Sequence, residues 1–146
     1  QAMRPDAAAP VLVVCGSLHP IARAQVQAVQ AQCSGVILLT TPAAMPETAT
    51  QGRDPQQAAR TLAQMALAVL QAHTVAGIVA TGGDTLASLL AAIAAQGIDL
   101  ERALAPGVPL GRIAGGPWAG LRIISKAGGF GAPATLVQAV RCLEGG

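Results

Sequence analysis

Gly77-Ile78-Val79-Ala80-Thr81-Gly82-Gly83-Asp84-Thr85 is the stretch that decides the fold. Its apolar start is the run expected of a strand buried on both faces. Its paired glycines make a tight turn. The residues that follow place Leu86, Leu89, Leu90 and Ile93 at helical spacing, so the stretch reads strand, turn, amphipathic helix. Gly97 is expected to close that helix as its C′ residue.

The same grammar recurs on either side. Val11–Cys15 reads as a buried strand ending in Gly16-Ser17. Pro20 then suits the first turn of a helix over Ile21–Gln32 that buries Ala22, Val26 and Val29. Gly35 breaks the helix, and Val36–Thr41 reads as a second buried strand stopped by Pro42. Pro42–Arg53 has loop composition. Asp54-Pro55-Gln56-Gln57 then starts a helix with an Asp N-cap and Pro at N1. That helix is expected to reach Ala72 and to bury Ala58, Leu62, Met65, Val69 and Ala72. After Ala105, closely spaced Pro and Gly residues punctuate short extended pieces such as Val108–Ala114. Leu121–Ser125 reads as a fourth main strand, and Pro133 opens a last helix burying Leu136, Val137, Val140 and Leu143. Alternating strands and helices predict a three-layer α/β/α domain with a mainly parallel central sheet plus a short Gly/Pro-rich antiparallel segment. Residues 1–10 read as a linker or disordered lead-in, and 11–146 as a single domain.

Composition narrows the function. Hydrophobic residues make up 52% of the chain, but much of that share is alanine, and Trp118 and Phe130 are its only aromatics. The core must be Val, Ile, Leu and Ala. A net charge of +2 is too small and scattered for a nucleic-acid footprint. No apolar run is long enough to span a membrane, and no signal-peptide pattern opens the sequence. The expectation is a cytoplasmic protein. Cys15, Cys33 and Cys142 form no Cys-x-x-Cys pair and read as small thiols in a reducing compartment, so neither a disulfide nor a metal site is expected.

Three strands end in glycine-bearing turns that lead into helices: Gly16-Ser17, Gly82-Gly83-Asp84-Thr85 and Gly128-Gly129-Phe130-Gly131. In an open α/β sheet the carboxyl ends of parallel strands share one edge, where ligands bind. The turns should therefore converge and offer helix N-terminal N–H groups to a phosphate. Ser17 and Thr85 add hydroxyls. Asp84 either caps its helix or holds a magnesium-bound water or ribose hydroxyl. Lys126 is the only lysine among nine Lys and Arg residues, and at a strand end before a glycine run it suits phosphate oxygens. Arg23 and Gln25 lie one turn into the first helix, from which they could reach this edge or simply cover the helix surface. Neither Gly-x-x-x-x-Gly-Lys-Ser/Thr nor Gly-x-Gly-x-x-Gly is present, and no Ser/His/acid set or carboxylate pair suggests a catalytic base.

At these turns the sequence resembles the C-terminal nucleotide-binding half of the four-carbon acid sugar kinases. The motifs are Val13–Pro20 continuing to Arg23 and Gln25, then Ile78–Thr85, then Ile124–Gly131 preceded by Pro106-Gly107-Val108-Pro109. His19 and Ala22 stand where the family usually has serine and threonine, and Ala127 where serine is frequent. The resemblance implies an ATP-binding domain, with Mg²⁺, of a kinase acting on threonate-, erythronate- or 3-oxo-tetronate-type acids. Ser17, Gly82, Gly83, Asp84, Thr85 and Gly128 would contact ATP, and Lys126 would lie beside its phosphates. It further implies an N-terminal domain that holds the small-molecule acid sugar, without which this chain would be inactive. A homodimer is left open. The competing readings are a non-catalytic interaction or oligomerisation module that keeps the fold without nucleotide binding, and a self-contained small-molecule phosphate-binding enzyme.

Overall fold

A computed structural model describes residues 9–16, 20–40, 55–126, 132 and 134–144. Ten elements follow one another: β1 (Val11–Cys15), α1 (Pro20–Gln32), β2 (Val36–Thr40), α2 (Pro55–Ala72), β3 (Gly77–Thr81), α3 (Gly83–Ala92), β4 (Gly97–Ala105), β5 (Val108–Ala114), β6 (Arg122–Lys126) and α4 (Thr135–Glu144). The strands form one sheet in the order β2-β1-β3-β6-β5-β4. β2, β1, β3 and β6 are mutually parallel, whereas β5 runs antiparallel to β6 and β4. The expected parallel core with an antiparallel extension is what forms.

Strand alternation divides the interior into two cores. Leu12, Val14, Ile78, Ala80 and Ile123 face α2 and α3 through Leu62, Ala66, Leu70, Leu89 and Ile93. Val11, Val13, Val79 and Ile124 face α1 and α4 through Val29, Leu136, Val137, Val140 and Leu143. This is the three-layer architecture, and every residue of β1 and β3 is buried within it. The four residues expected to line the last helix are all buried, joined by Ala139.

Three expectations shift. β2 is an edge strand with all five residues half-buried, because only β1 flanks it. On α2 the buried stripe is Ala59, Leu62, Ala63, Ala66 and Leu70, while Met65 is 44% exposed. Alanines widen the apolar arc of that helix beyond a single stripe, so periodicity fixed the helix but not its rotation. α3 ends earlier than Gly97. Ala94, at φ 60, takes the left-handed position after the helix, and Gly97 begins β4. Here the chain is held by tertiary bonds, since Gln96 N donates to Ala114 O at 2.7 Å.

β4 itself is the element that the sequence conceals, since Asp99, Glu101 and Arg102 interrupt its apolar residues and its centre is exposed on both faces. It exists because β5 pairs with it through the two-residue turn Pro106-Gly107, where Gly107 sits at φ 78. The charges protect this open edge. An antiparallel register with a copy centred on Leu100 sets Asp99 against Glu101, and one centred on Glu101 or Arg102 sets that residue against itself.

The lead-in before Ala9, the whole of the Pro42–Arg53 loop expectation, the Asp54 cap, Ser17, His19, Gly128–Gly131 and Pro133 lie outside the described residues, as do the side chains of Ile21 and Ala22.

Candidate functional site

Four parallel strands finish level with one another, so Thr40, Cys15, Thr81 and Lys126 form one row across the carboxyl edge. Two backbone hydrogen bonds carry the register past the strand ends. Gly16 N donates to Thr81 O at 3.2 Å, and Gly82 N donates to Lys126 O at 3.0 Å. The three turns thus meet at their roots, Gly16, Gly82 and Lys126. The chain leaves β1 toward β2 on one side and returns to β3 on the other. The crevice between β1 and β3 is therefore the topological switch point, where open α/β sheets bind ligands.

The turn after β3 supplies the central wall. Gly82 is the N-cap of α3 at φ 96 and ψ 131, a conformation that glycine adopts without strain. No side chain caps the helix, so Asp84 is free of the capping role allowed for it and stands exposed in the first turn. Helix geometry leaves the N–H groups of this turn without intrahelical acceptors, and they carry the positive end of the helix dipole. A Cβ on Gly83 would meet nothing within 4 Å. Asp84 also rims an open groove of about 430 Å³ between α2 and α3, shared with Arg60, Gln64 and Ser88.

Thr85 turns the other way. It is buried, and its Oγ1 occupies the volume that a Cβ on Gly16 would take. The glycine at Gly16 is therefore needed for the first and second walls to interlock, a closer reason than ligand approach.

Lys126 ends β6 and is only 5% exposed. By strand alternation its side chain shares the α1/α4 face with Cys15 and Thr81. Continuing the register from Leu110 opposite Ile124, Val108 comes opposite Lys126, which brings the Pro106-Gly107 turn to the same edge. Burial pushes the Lys126 ammonium below its ordinary pKa, against a smaller opposing pull from Cys15. A cation held in such surroundings interacts more strongly with an anion than one in water.

The buried polar side chains among the described residues are Gln25, Thr81, Thr85 and Lys126. Thr81, Thr85 and Lys126 sit directly at this edge. Gln25, in α1, reaches across to it, its Nε2 donating to Ala132 O at 2.8 Å just before α4. Thr81 Oγ1 has no hydrogen-bond partner among the described residues. Gln25 is fully buried, while Arg23 is exposed. A signal for Gln25 was present, since it shares its helix face with Val29 one turn on, but a lone glutamine on an Ala/Gln-rich helix carries little weight. Trp118, by contrast, packs on the α2/α3 core beside Leu121, which precedes β6 and so lies at the opposite edge.

Residues 36–136 match the family model for a nucleotide-binding C-terminal domain. The chain belongs to this family, the C-terminal domain of the four-carbon acid sugar kinases. This nucleotide-binding domain is 43% identical over 99 residues to a D-threonate kinase of Bordetella bronchiseptica, covering 68% of this chain and 24% of the relative. A D-threonate kinase of Salmonella typhimurium is 31% identical over 57% of this chain and 20% of its own length. The domain thus spans about a quarter of the length of the curated relatives it matches. Among solved structures, a domain of unknown function from Bordetella bronchiseptica, crystallised with citrate as a domain-swapped dimer, superposes with a TM-score of 0.85. It is 32% identical, covering 93% of this chain and 41% of that one.

Proposed function

We propose that this chain is the ATP-binding domain of a kinase that phosphorylates a four-carbon sugar acid of the threonate type. The observation that carries the reading is the gathering of Thr81, Thr85 and Lys126 at the switch-point edge, around the uncapped N-terminus of α3. A buried cation and a glycine-lined helix terminus suit a polyphosphate, and the names of the relatives supply the kinase and the acid. The sugar-acid site and the group that accepts the hydroxyl proton would belong to a further domain, so the isolated chain would bind nucleotide without turnover.

Each residue then has a part. Gly83, Asp84 and Thr85 would present N–H groups to phosphate oxygens from the turn that Gly82 shapes, and Ser17 and Gly128 would extend the same surface from the flanking turns. Lys126 would neutralise charge on the phosphates as the phosphoryl group moves toward the sugar hydroxyl, a reaction in which positioning and electrostatics do most of the catalysis. Mg²⁺ would supply further neutralisation. Among the described residues no group of three or more His, Cys, Asp or Glu could hold it, so it would arrive on the phosphates with Asp84 holding one of its waters. No helix among the described residues is long and apolar enough to cross a membrane. A cytoplasmic location and a homodimer complete the proposal.

Titration calorimetry of Mg-ATP into the chain tests it. Saturable binding is expected, weakened by Lys126→Ala and by Asp84→Ala. No heat of binding up to millimolar nucleotide would sink the reading.

A further inference from the structure

Asp84, Ala87, Ser88 and Ala91 recur at the three- and four-residue spacing that sets them along one face of α3, and Arg60, Ala63 and Gln64 do the same on α2. Between these faces runs the open groove of about 430 Å³. Its apolar lining is alanine throughout, including Ala63, Ala87 and Ala91, which carry no atom beyond Cβ. The helices therefore leave space where longer side chains would fill it. Arg60, Gln64, Asp84 and Ser88 supply the polar lining. Among the described residues, none of these four has a side-chain hydrogen bond or ion pair. An apolar floor with a few uncommitted polar groups around it is the make-up of a small-molecule site, and the volume is within the usual range of roughly 300–1,000 Å³.

The groove's place in the fold selects its occupant. Asp84 belongs both to the groove and to the first turn of α3, whose N–H groups form the central wall. Helical rise carries Ala91 about 10 Å further along α3. The groove thus starts at the phosphate turn and leads away from it on the α2/α3 side of the sheet, opposite the side that Lys126 faces. We propose that it holds the ribose and purine base of the nucleotide, which then crosses the sheet edge with its terminal phosphates toward Lys126. This rests on the nucleotide reading above and adds where the nucleoside lies. One face of the base would rest on the alanines, and the planar guanidinium of Arg60 would stack on the other. Gln64 and Ser88 would hydrogen-bond its polar edge.

The test compares Mg-ATP with Mg-tripolyphosphate, which has the phosphates but no nucleoside, by calorimetry on the wild type, Ala87→Leu and Ala91→Leu. Both positions are exposed and leucine is a strong helix former, so both variants should melt close to wild type while filling the groove. Each should lose about tenfold or more in Mg-ATP affinity and stay within about twofold of wild type for Mg-tripolyphosphate. Leucine variants that keep wild-type Mg-ATP affinity, or that lose both ligands alike, would overturn the proposal. A second measurement needs no variant. Backbone amide spectra of the wild type with the two ligands should differ most at Gln64, Ala87 and Ala91, and spectra that agree there would also overturn it. Failure of the groove is distinct from failure of the nucleotide reading. A wild type that binds both ligands equally keeps the phosphate wall and discards the groove, whereas one that binds neither discards the nucleotide reading and this proposal with it.

Discussion

Replacing Gly16 by alanine tests how the first two walls of the site are joined. The added Cβ would overlap Thr85 Oγ1 and stand 3.1 Å from Thr85 Cβ and 3.5 Å from Leu62 Cδ1. Thr85 is 3% exposed and sits in the first turn of α3, where a β-branched side chain has few rotamers to escape into. Rotating it would move Oγ1 but leave its Cβ in place, so α3 itself must give. Overpacking of this kind costs roughly 1–3 kcal/mol. For a domain of this size that is a fall in melting temperature of roughly 3–12 °C. The partner substitution Thr85→Ala removes the overlapping oxygen and leaves the 3.1 Å contact. In a double-mutant cycle the pair should therefore recover about half of the Gly16→Ala loss, a coupling of roughly 0.5–1.5 kcal/mol. Circular dichroism melts of the four proteins give the cycle directly. If Gly16→Ala melts within a degree of wild type, or if the two losses simply add, the interlock is not what requires glycine at Gly16.

Lys126→Met should weaken Mg-ATP binding, because it removes the cation at the carboxyl edge while keeping the length of the side chain; an affinity unchanged from wild type by calorimetry would refute it. The pH dependence has a defined sign. The folded pKa of Lys126 lies below its unfolded value, so the folded chain releases that proton first. Its contribution to stability is at its least favourable below the folded value and improves as pH climbs from there to the unfolded one. Lys126→Met should lack this rise in alkaline denaturant titrations. Affinity for nucleotide, which needs the protonated amine, should fall over the same window. Gly82→Ala forces a side chain into φ 96 and should lose about 1–3 kcal/mol in urea unfolding, with reduced Mg-ATP affinity if the turn cradles phosphate. On α2, Met65→Gln should change stability by less than about 0.5 kcal/mol, whereas Ala66→Met should cost roughly 1–3 kcal/mol. The reverse order would restore the helix rotation inferred from periodicity.

The sequence by itself determined the alternation of strands and helices, the parallel core and the three turns that end its strands. Those features are local, since an apolar run, a glycine pair and a helical stripe are all written within a few residues. It also singled out Lys126 by its rarity and position. Tertiary structure decided what depends on distant neighbours. β4 is a strand only because β5 lies beside it. α2 buries Ala66 rather than Met65 because packing against the sheet sets which part of a broad apolar arc faces inward. Gly16 must be glycine because Thr85, 69 positions away by subtraction of their residue numbers, fills the space beside it. Gln25 is a buried tie rather than a surface residue because α1 and the segment before α4 come together on one face of the sheet. The turns could be read one at a time. That they form one edge follows from strand order and register, which are properties of pairs of segments.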